Sequence, residues 1–360
     1  MLIDVAVVGA GVMGLAAAWR AALSGLRVHV FDRFGPGHDR GSSHGASRIF
    51  RFAYDHPDYV RLAMAALPLW RALEREHPLL RITGGIDIGD EAILRRCADA
   101  LEVSGAPVRW LTPAERERDH PWLGFPDLPA IFSPDTGVIA AADAMRALAL
   151  AATEAGAVLS WATDIEEIEA AGDGVVLRAR AAHVRARRVV IAAGAWTGPL
   201  MHALGINVPL RVTREQVHHF APSPTAMPVI LRTGEMLGYA VPSPAGGNSI
   251  KVGLHLAGVE TAADTRGFDP DPALERDTRA LARQLLPSLD PVPVAAETCL
   301  YTTTPDEDFV IDAHGPIIVC SACSGHGFKF APLIGEIVAA LATDRSPPVP
   351  IGRFSLSRFG

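Results

Sequence analysis

At 360 residues, 49% of them apolar and 20% charged, the chain is long enough for two domains and can bury a sizeable core. Its net charge of −7, with Lys and Arg scattered along the chain, leaves no electrostatic footprint for nucleic acid or anionic lipid. The apolar start lacks a basic n-region and carries Asp4 and Arg20, no stretch approaches the ~18 apolar residues of a membrane span, and four cysteines suit a reducing cytoplasm better than a disulfide framework.

Residues 5–8 are a short β-branched apolar run that leads into Gly9-Ala10-Gly11-Val12-Met13-Gly14, and an Ala- and Leu-rich helical stretch follows to Gly25. A second strand at 28–31 ends on Asp32, eighteen positions past Gly14 and close to the ~20 expected of a dinucleotide fingerprint. Gly9 permits the tight turn, Gly11 removes the Cβ that would block a pyrophosphate, and Gly14 lets helix and strand pack closely. The helix N-terminus would face phosphates with unpaired N–H groups and a positive dipole, and Asp32 would accept hydrogen bonds from ribose hydroxyls. The bland reading is a glycine turn that binds nothing; strands on both sides and the acid in register argue against it.

Past a turn at 34–37, small residues dominate from Gly41 to Ser47, until Arg48 and Arg51 arrive three apart. With Ser47 as N-cap the two arginines share one face of a helix, which on pattern alone reads as a solvated face. An amphipathic helix over 59–74 packs on the first domain. From Arg81 the texture changes: 82–88 is strand-like, 91–104 helical, and Pro113, Pro121, Pro126, Pro129 and Pro134 break up a departure into a second domain. Residues 137–139 and an Ala-rich helix over 142–155 return to the first domain. Strands at 158–160, 163–169, 174–179 and 182–184 precede an apolar strand from Arg188 that closes on Gly194, where backbone can approach a dinucleotide.

Residues 206–299 form a second β-rich insert. Its strands lie at 208–222, 229–231, 239–242 and 249–256, with a hairpin turn at Gly246-Gly247-Asn248 and a helix over 270–286. Core strands at 309–312 and 317–320, then Ser324-Gly325-His326-Gly327-Phe328-Lys329, lead into a last helix over 332–342, and the tail beyond Pro347 is extended.

Two features carry candidate chemistry by their pattern. Lys251 and His255, at i and i+4 of an alternating strand, share one face, equally readable as the exposed side of a half-buried sheet. Small residues ahead of the last helix expose N–H groups that stabilise negative charge. Cys299 by itself is a lone thiol, more often a small buried hydrophobe than a reactive group. Cys320-x-x-Cys323 lacks the setting of a thioredoxin-like pair and reads as two packed thiols. No metal is expected.

The glycine fingerprint, the segment 41–51, Lys251-x-Gly-x-His255, Cys299-Leu-Tyr301-Thr-x-Thr-Pro-Asp-Glu and Ser324-Gly-His-Gly-Phe-Lys329 together resemble the monomeric sarcosine oxidase and N-methyltryptophan oxidase group of the D-amino-acid-oxidase-like FAD enzymes. The resemblance spans the whole chain. It implies an α/β fold: a discontinuous Rossmann-like FAD-binding domain (1–80, 138–205 and 300–360) and a substrate domain (81–137 and 206–299) whose mainly antiparallel sheet roofs the flavin. It also implies FAD held through a thioether to Cys299, with Gly9, Gly11, Gly14, Asp32, Ser42, His44, Arg48, Gly194, Gly325, Gly327, Phe328 and Lys329 as cofactor contacts. Arg51 and Lys329 then pair with a substrate carboxylate, and Lys251 activates oxygen. His255 and Tyr301, with Tyr239, line the amine end, and Arg48 stands by the flavin ring. Cys323, where the family often has a larger apolar residue, widens the substrate cavity. The implied reaction oxidises a secondary-amine amino acid to an imine, with O₂ reduced to H₂O₂, in a monomer. A dehydrogenase passing electrons to another acceptor, or a fructosyl amino acid oxidase, is the alternative.

Overall fold

The structure, a computed structural model, describes residues 2–359 apart from 76, 173, 181, 225, 245 and 246. Its first sheet has eight strands among the described residues. Leu2–Val8 runs parallel between Val28–Phe31 and Ala182–Ile191, and Val158–Ser160 and Ile317–Ser321 extend the parallel set. The antiparallel pair Ile165–Ala171 and Gly174–Ala179 forms one edge. Both faces are covered. Val5 and Val7 join one core with the helices Val12–Leu23 and Ala331–Ala342, while Ala6 and Val8 join another, beneath Met201 and Val208. Burial on both sides is why residues 5–8 of this strand read as an unbroken apolar run.

The glycine turn is built by close approach. A Cβ on Gly14 would lie 1.8 Å from the Gly9 carbonyl oxygen, and one on Gly9, where φ is +101°, would lie 2.5 Å from that of Ala192. Gly14→Ala therefore forces backbone apart. The expected cost is on the order of 1–3 kcal/mol, read as a lowered melting temperature; an unchanged transition would contradict this packing.

The second sheet has nine strands among the described residues, paired antiparallel except where Gly85–Ile88 runs parallel to Val229–Arg232. Its long members are Arg211–Phe220 and Ala295–Thr303, flanked by Ile250–Leu254 and Gly238–Pro242. One face packs on the helix Pro272–Leu285 through Ala240, Ile250, Val252 and Leu281. The other faces the first sheet. A small third sheet of Ser47–Phe50, Gly137–Ala140 and Leu80–Ile82 lies beside the junction. No helix among the described residues is long and apolar enough to cross a membrane.

Several expectations are corrected. Ser47 caps no helix: Ser47–Phe50 is a strand paired with Gly137–Ala140, because the fully buried Phe50 and its aromatic partner Phe52 anchor it in the core. The run 82–88 is not one strand. Gly84, at φ +73°, breaks it, and its halves enter different sheets. The strand candidates at 182–184 and from 188 are one strand, Ala182–Ile191. Ala295–Thr303 is a strand that sequence reading passed over, and it runs through position 299 without a break. The tail turns through two 3₁₀ segments, Gly352–Phe354 and Leu356–Phe359, since Asp312 accepts from the Ser355 hydroxyl and the Leu356 N–H. Gly246 lies outside the described residues.

Candidate active site

One cavity of about 930 Å³ runs between the two large sheets, in the size range of sites for small organic ligands and cofactors. One end is the glycine turn. The helix Val12–Leu23 begins there at Gly11 without a side-chain cap, leaving its first N–H groups directed toward the cavity, apart from the Val12 N–H, which Ser43 accepts at 3.1 Å. Asp32 is buried and accepts from the Ala10 and Phe34 N–H groups at 2.7 and 2.8 Å. It thus braces the turn, and a carboxylate with four acceptor sites keeps capacity for hydroxyl donors. Gly9, Gly11 and Gly194 line the cavity; Gly14 does not, being the packing contact beneath Gly9.

The other wall is a face of the nine-stranded sheet. Side chains directly opposite one another share a face, and the face alternates along each strand. Tyr239, Gly253, Val217 and Glu297 therefore form one cross-strand row, and Val241, Lys251, His219 and Ala295 the next. Cys299 and Tyr301 follow Glu297 on the same side, opposite Glu215 and Thr213. The first row continues outward through Leu231 to Asp87. Gly253 is needed in it, because a Cβ there would lie 2.7 Å from the Tyr239 hydroxyl. Lys251, Tyr239, Cys299 and Tyr301, scattered over more than sixty positions, become neighbours through strand register, and His255, just past the end of the strand Ile250–Leu254, joins them at the cavity.

The segment from Ser42 to Arg51 crosses this wall. Ser42 donates to the Leu300 carbonyl at 2.5 Å, and His44 Nε2 lies 3.1 Å from that of Thr298. Arg48 donates to the carbonyls of Ser42, His44 and Ser47 and lies over the Phe328 ring. Lys251 donates to the Ser47 carbonyl. Burial, then Arg48, push the Lys251 amine down to about 7, against Glu297. Burial pushes the Cys299 thiol up to about 11, against Arg48.

At the far end, two cations meet around one phenol. The Lys329 Nζ donates to the Tyr54 hydroxyl at 2.7 Å, and the Arg51 guanidinium lies 4.4 Å from the Tyr54 ring centre. Arg51 Nη1 is 3.6 Å from Asp87 Oδ1, and the other oxygen of that buried carboxylate has no hydrogen-bond partner among the described residues. Burial raises the Asp87 carboxyl to about 6, opposed by Arg51. Burial, then Arg51, hold the Lys329 amine well below its ordinary value. Trp70 fixes the backbone here by donating to the Lys329 carbonyl at 2.7 Å, and its ring stacks on Phe328. His255 stands close by, 5.7 Å from the Tyr301 ring, and burial with Arg51 and Lys329 drives it down to about 4.

The glycines of the last motif serve packing. A Cβ on Gly325 would lie 2.4 Å from the Tyr301 ring, and one on Gly327 would lie 1.7 Å from the Ala322 carbonyl oxygen. Cys323 lines the cavity, its sulfur accepting from the Thr302 N–H at 3.3 Å, while Cys320 is a core thiol; all four cysteines are free. His326 bridges the Tyr54 hydroxyl and the Glu307 carbonyl at 3.3 Å each.

Tyr54, Asp87 and Glu297 escaped sequence reading. Glu297 could have been found by stepping back two positions from Cys299, and Asp87 as an acid inside the apolar Ile86-Asp87-Ile88. Tyr54 carries no such signal.

The sequence matches the family described as "FAD dependent oxidoreductase" over residues 4–341. It is 33% identical over 378 residues to the monomeric sarcosine oxidase of Bacillus sp. (strain NS-129), covering 99% of this chain and 96% of that one. It is 31% identical to the N-methyl-L-tryptophan oxidase of Yersinia pestis (strain Pestoides F), covering 99% of each chain. Among solved structures, NikD, an amino acid oxidase essential for nikkomycin biosynthesis, superposes with a TM-score of 0.87 at 29% identity, covering 98% of this chain and 97% of that one.

Proposed function

Since the chain belongs to the family of FAD-dependent oxidoreductases, we propose that it oxidises amino acids whose nitrogen is a secondary amine, N-methyl or cyclic, to the imine, with O₂ reduced to H₂O₂. The observation that carries this reading is the meeting of Arg51 and Lys329 around Tyr54 at the end of a cavity that begins at a dinucleotide turn. Two cations there suit one carboxylate. FAD, when bound, would supply a two-electron acceptor, reoxidisable by O₂, for the hydrogen on the carbon next to nitrogen.

The chain's own groups do the rest. Residues 1–80, 138–205 and 300–360, which contain the eight-stranded sheet, hold the cofactor through Gly9, Gly11, Asp32, Ser42, His44, Arg48, Gly194, Gly325, Gly327 and Phe328, with Gly14 packing the turn. Residues 81–137 and 206–299 cover the substrate. Arg51 and Lys329 hold its carboxylate, and the shelf of Tyr239, Tyr301 and Cys323 positions its amine. His255, neutral above about pH 4, accepts a hydrogen bond from that nitrogen and so fixes its orientation. Lys251, as an ammonium, stabilises superoxide as oxygen is reduced. We read the enzyme as a monomer of the cytoplasm, where its four thiols stay reduced. Peroxide release across a panel of sarcosine, N-methyltryptophan, pipecolate, proline and fructosyl amino acids tests the reaction. Turnover with an artificial electron acceptor but none with O₂ would overturn the oxidase reading in favour of a dehydrogenase.

Cys299 is the attachment point for the flavin. Acid-precipitated protein is therefore expected to stay yellow, and Cys299→Ser protein to release all its flavin into the supernatant. Quantitative release from the unaltered protein rules the thioether out.

A further inference from the structure

The wall around Lys251 carries a carboxylate without a part in the scheme above. Glu297 precedes Cys299 by two positions on the strand Ala295–Thr303 and so faces the cavity with it. Its Oε1 lies 3.0 Å from Nε2 of His219. His219 is directly opposite Lys251 in the antiparallel register, where side chains share a face at Cβ separations of about 4.5–5.5 Å. The Glu297 Oε2 rests against Gly45, whose Cβ, if present, would lie 2.8 Å away. The carboxylate is thus held between the loop that crosses the wall and the strand pair that carries Lys251. The other acids lining the cavity among the described residues, Asp32, Asp164 and Glu166, belong to the eight-stranded sheet and its loops.

The charges facing Lys251 define a problem that Glu297 is placed to solve. From the strand Ser47–Phe50 comes Arg48; from the preceding loop, His44; from the neighbouring strands, Tyr239, Cys299 and Glu297, with His219 directly opposite in the register. Burial and Arg48 both act against an ammonium ion at position 251, and Glu297 leads the groups that oppose them. His219 in turn keeps the Glu297 carboxyl below its ordinary value, so the acid stays ionised. A neutral amine could not stabilise superoxide.

We propose that Glu297, anchored by His219, is a positioning residue that keeps Lys251 in its ammonium form and thereby sets the pH above which the enzyme loses its reaction with oxygen. This rests on the reading of Lys251 as the oxygen site. The first readout is independent of turnover: the Lys251 ammonium is titrated by NMR in holoenzyme labelled with ¹⁵N at the lysine side chains, its signal assigned by its loss in Lys251→Met. Glu297→Gln, close in shape and uncharged, is expected to lower the titration midpoint by at least ~1 pH unit. The fall in the rate of reoxidation with rising pH should move by the same amount. Glu297→Asp keeps the charge and should restore most of the midpoint. His219→Leu, which frees the carboxylate from its anchor, should shift the midpoint the same way by less, and serves if Glu297→Gln does not fold. An unchanged midpoint in the folded Glu297→Gln protein, or in His219→Leu should that one alone fold, overturns the proposal and leaves the oxygen site untouched. Normal reoxidation in Lys251→Met instead overturns the oxygen site, and the NMR midpoint still judges Glu297 separately.

Discussion

Lys251→Met enzyme, mixed with substrate under nitrogen, should bleach at close to the rate of the unaltered enzyme and then stay bleached in air, reoxidising at least ~10²–10³-fold more slowly. The two half-reactions separate because the charge of Lys251 matters only where new negative charge develops, on oxygen. Methionine keeps the length and apolar stem of lysine and removes the ammonium. The amine is brought down to about 7 by burial and Arg48, and under the proposed role its charged form is the active one. Reoxidation should therefore be fastest below about pH 7 and fall as pH rises through that value, while Lys251→Met shows a slow and flat profile. Stopped-flow measurement of both half-reactions decides the matter. Equal slowing of the two would mean that Lys251 serves substrate binding or cofactor geometry instead.

Replacing Arg51 by Gln or Lys329 by Met should weaken binding of the amino acid and of simple carboxylate inhibitors by about 2–5 kcal/mol, roughly 30-fold to several thousand-fold. The size follows from burial: Lys329 is buried and Arg51 is largely so, and the remaining cation stays beside Tyr54 with an anion only half matched. The substitutions should raise KM far more than they lower the rate of reduction at saturation. An amine lacking the carboxylate should be a poor substrate of the unaltered enzyme and lose little further in either variant. If the decarboxylated analogue is turned over as well as its parent, the two cations do not clamp a carboxylate and the substrate class is wrong. Asp87 bears on the result, since its ionised form beside Arg51 competes for the guanidinium. Its carboxyl is raised to about 6, so inhibitor binding should tighten as pH falls through that value, and Asp87→Asn should remove that component of the pH dependence.

Where local pattern and tertiary need coincide, the chain was legible. The strand, glycine turn, helix and acid at 5–32 form one contiguous unit in which Gly14 answers to Gly9 and Asp32 braces the turn, while Gly9 and Gly11 also meet Ala192 and Ser43 from outside it. Most strands and helices stand within a few residues of the ranges read from periodicity. The segment 47–51 fails for a definite reason: Ser before two arginines three apart fits a helix cap, and only the pairing partner Gly137–Ala140, ninety positions away, makes it a strand. The tail fails likewise, because Asp312 folds it back.

By itself the sequence determined the glycine turn and its acid, the alternating strand that carries Lys251, and the motifs that mark the family; His255, expected on that strand, sits just past its end at Leu254. Tertiary structure decided which of these meet. Strand register sets Lys251 opposite His219, and His219 within 3.0 Å of Glu297. Two chain segments far apart bring Arg51 and Lys329 together at Tyr54. Register and docking are long-range: they depend on which strand lies beside which, and no spacing along the chain encodes that. The electrostatics follow from them, because the displacement of Lys251 to about 7 needs burial and an arginine that only the folded chain supplies.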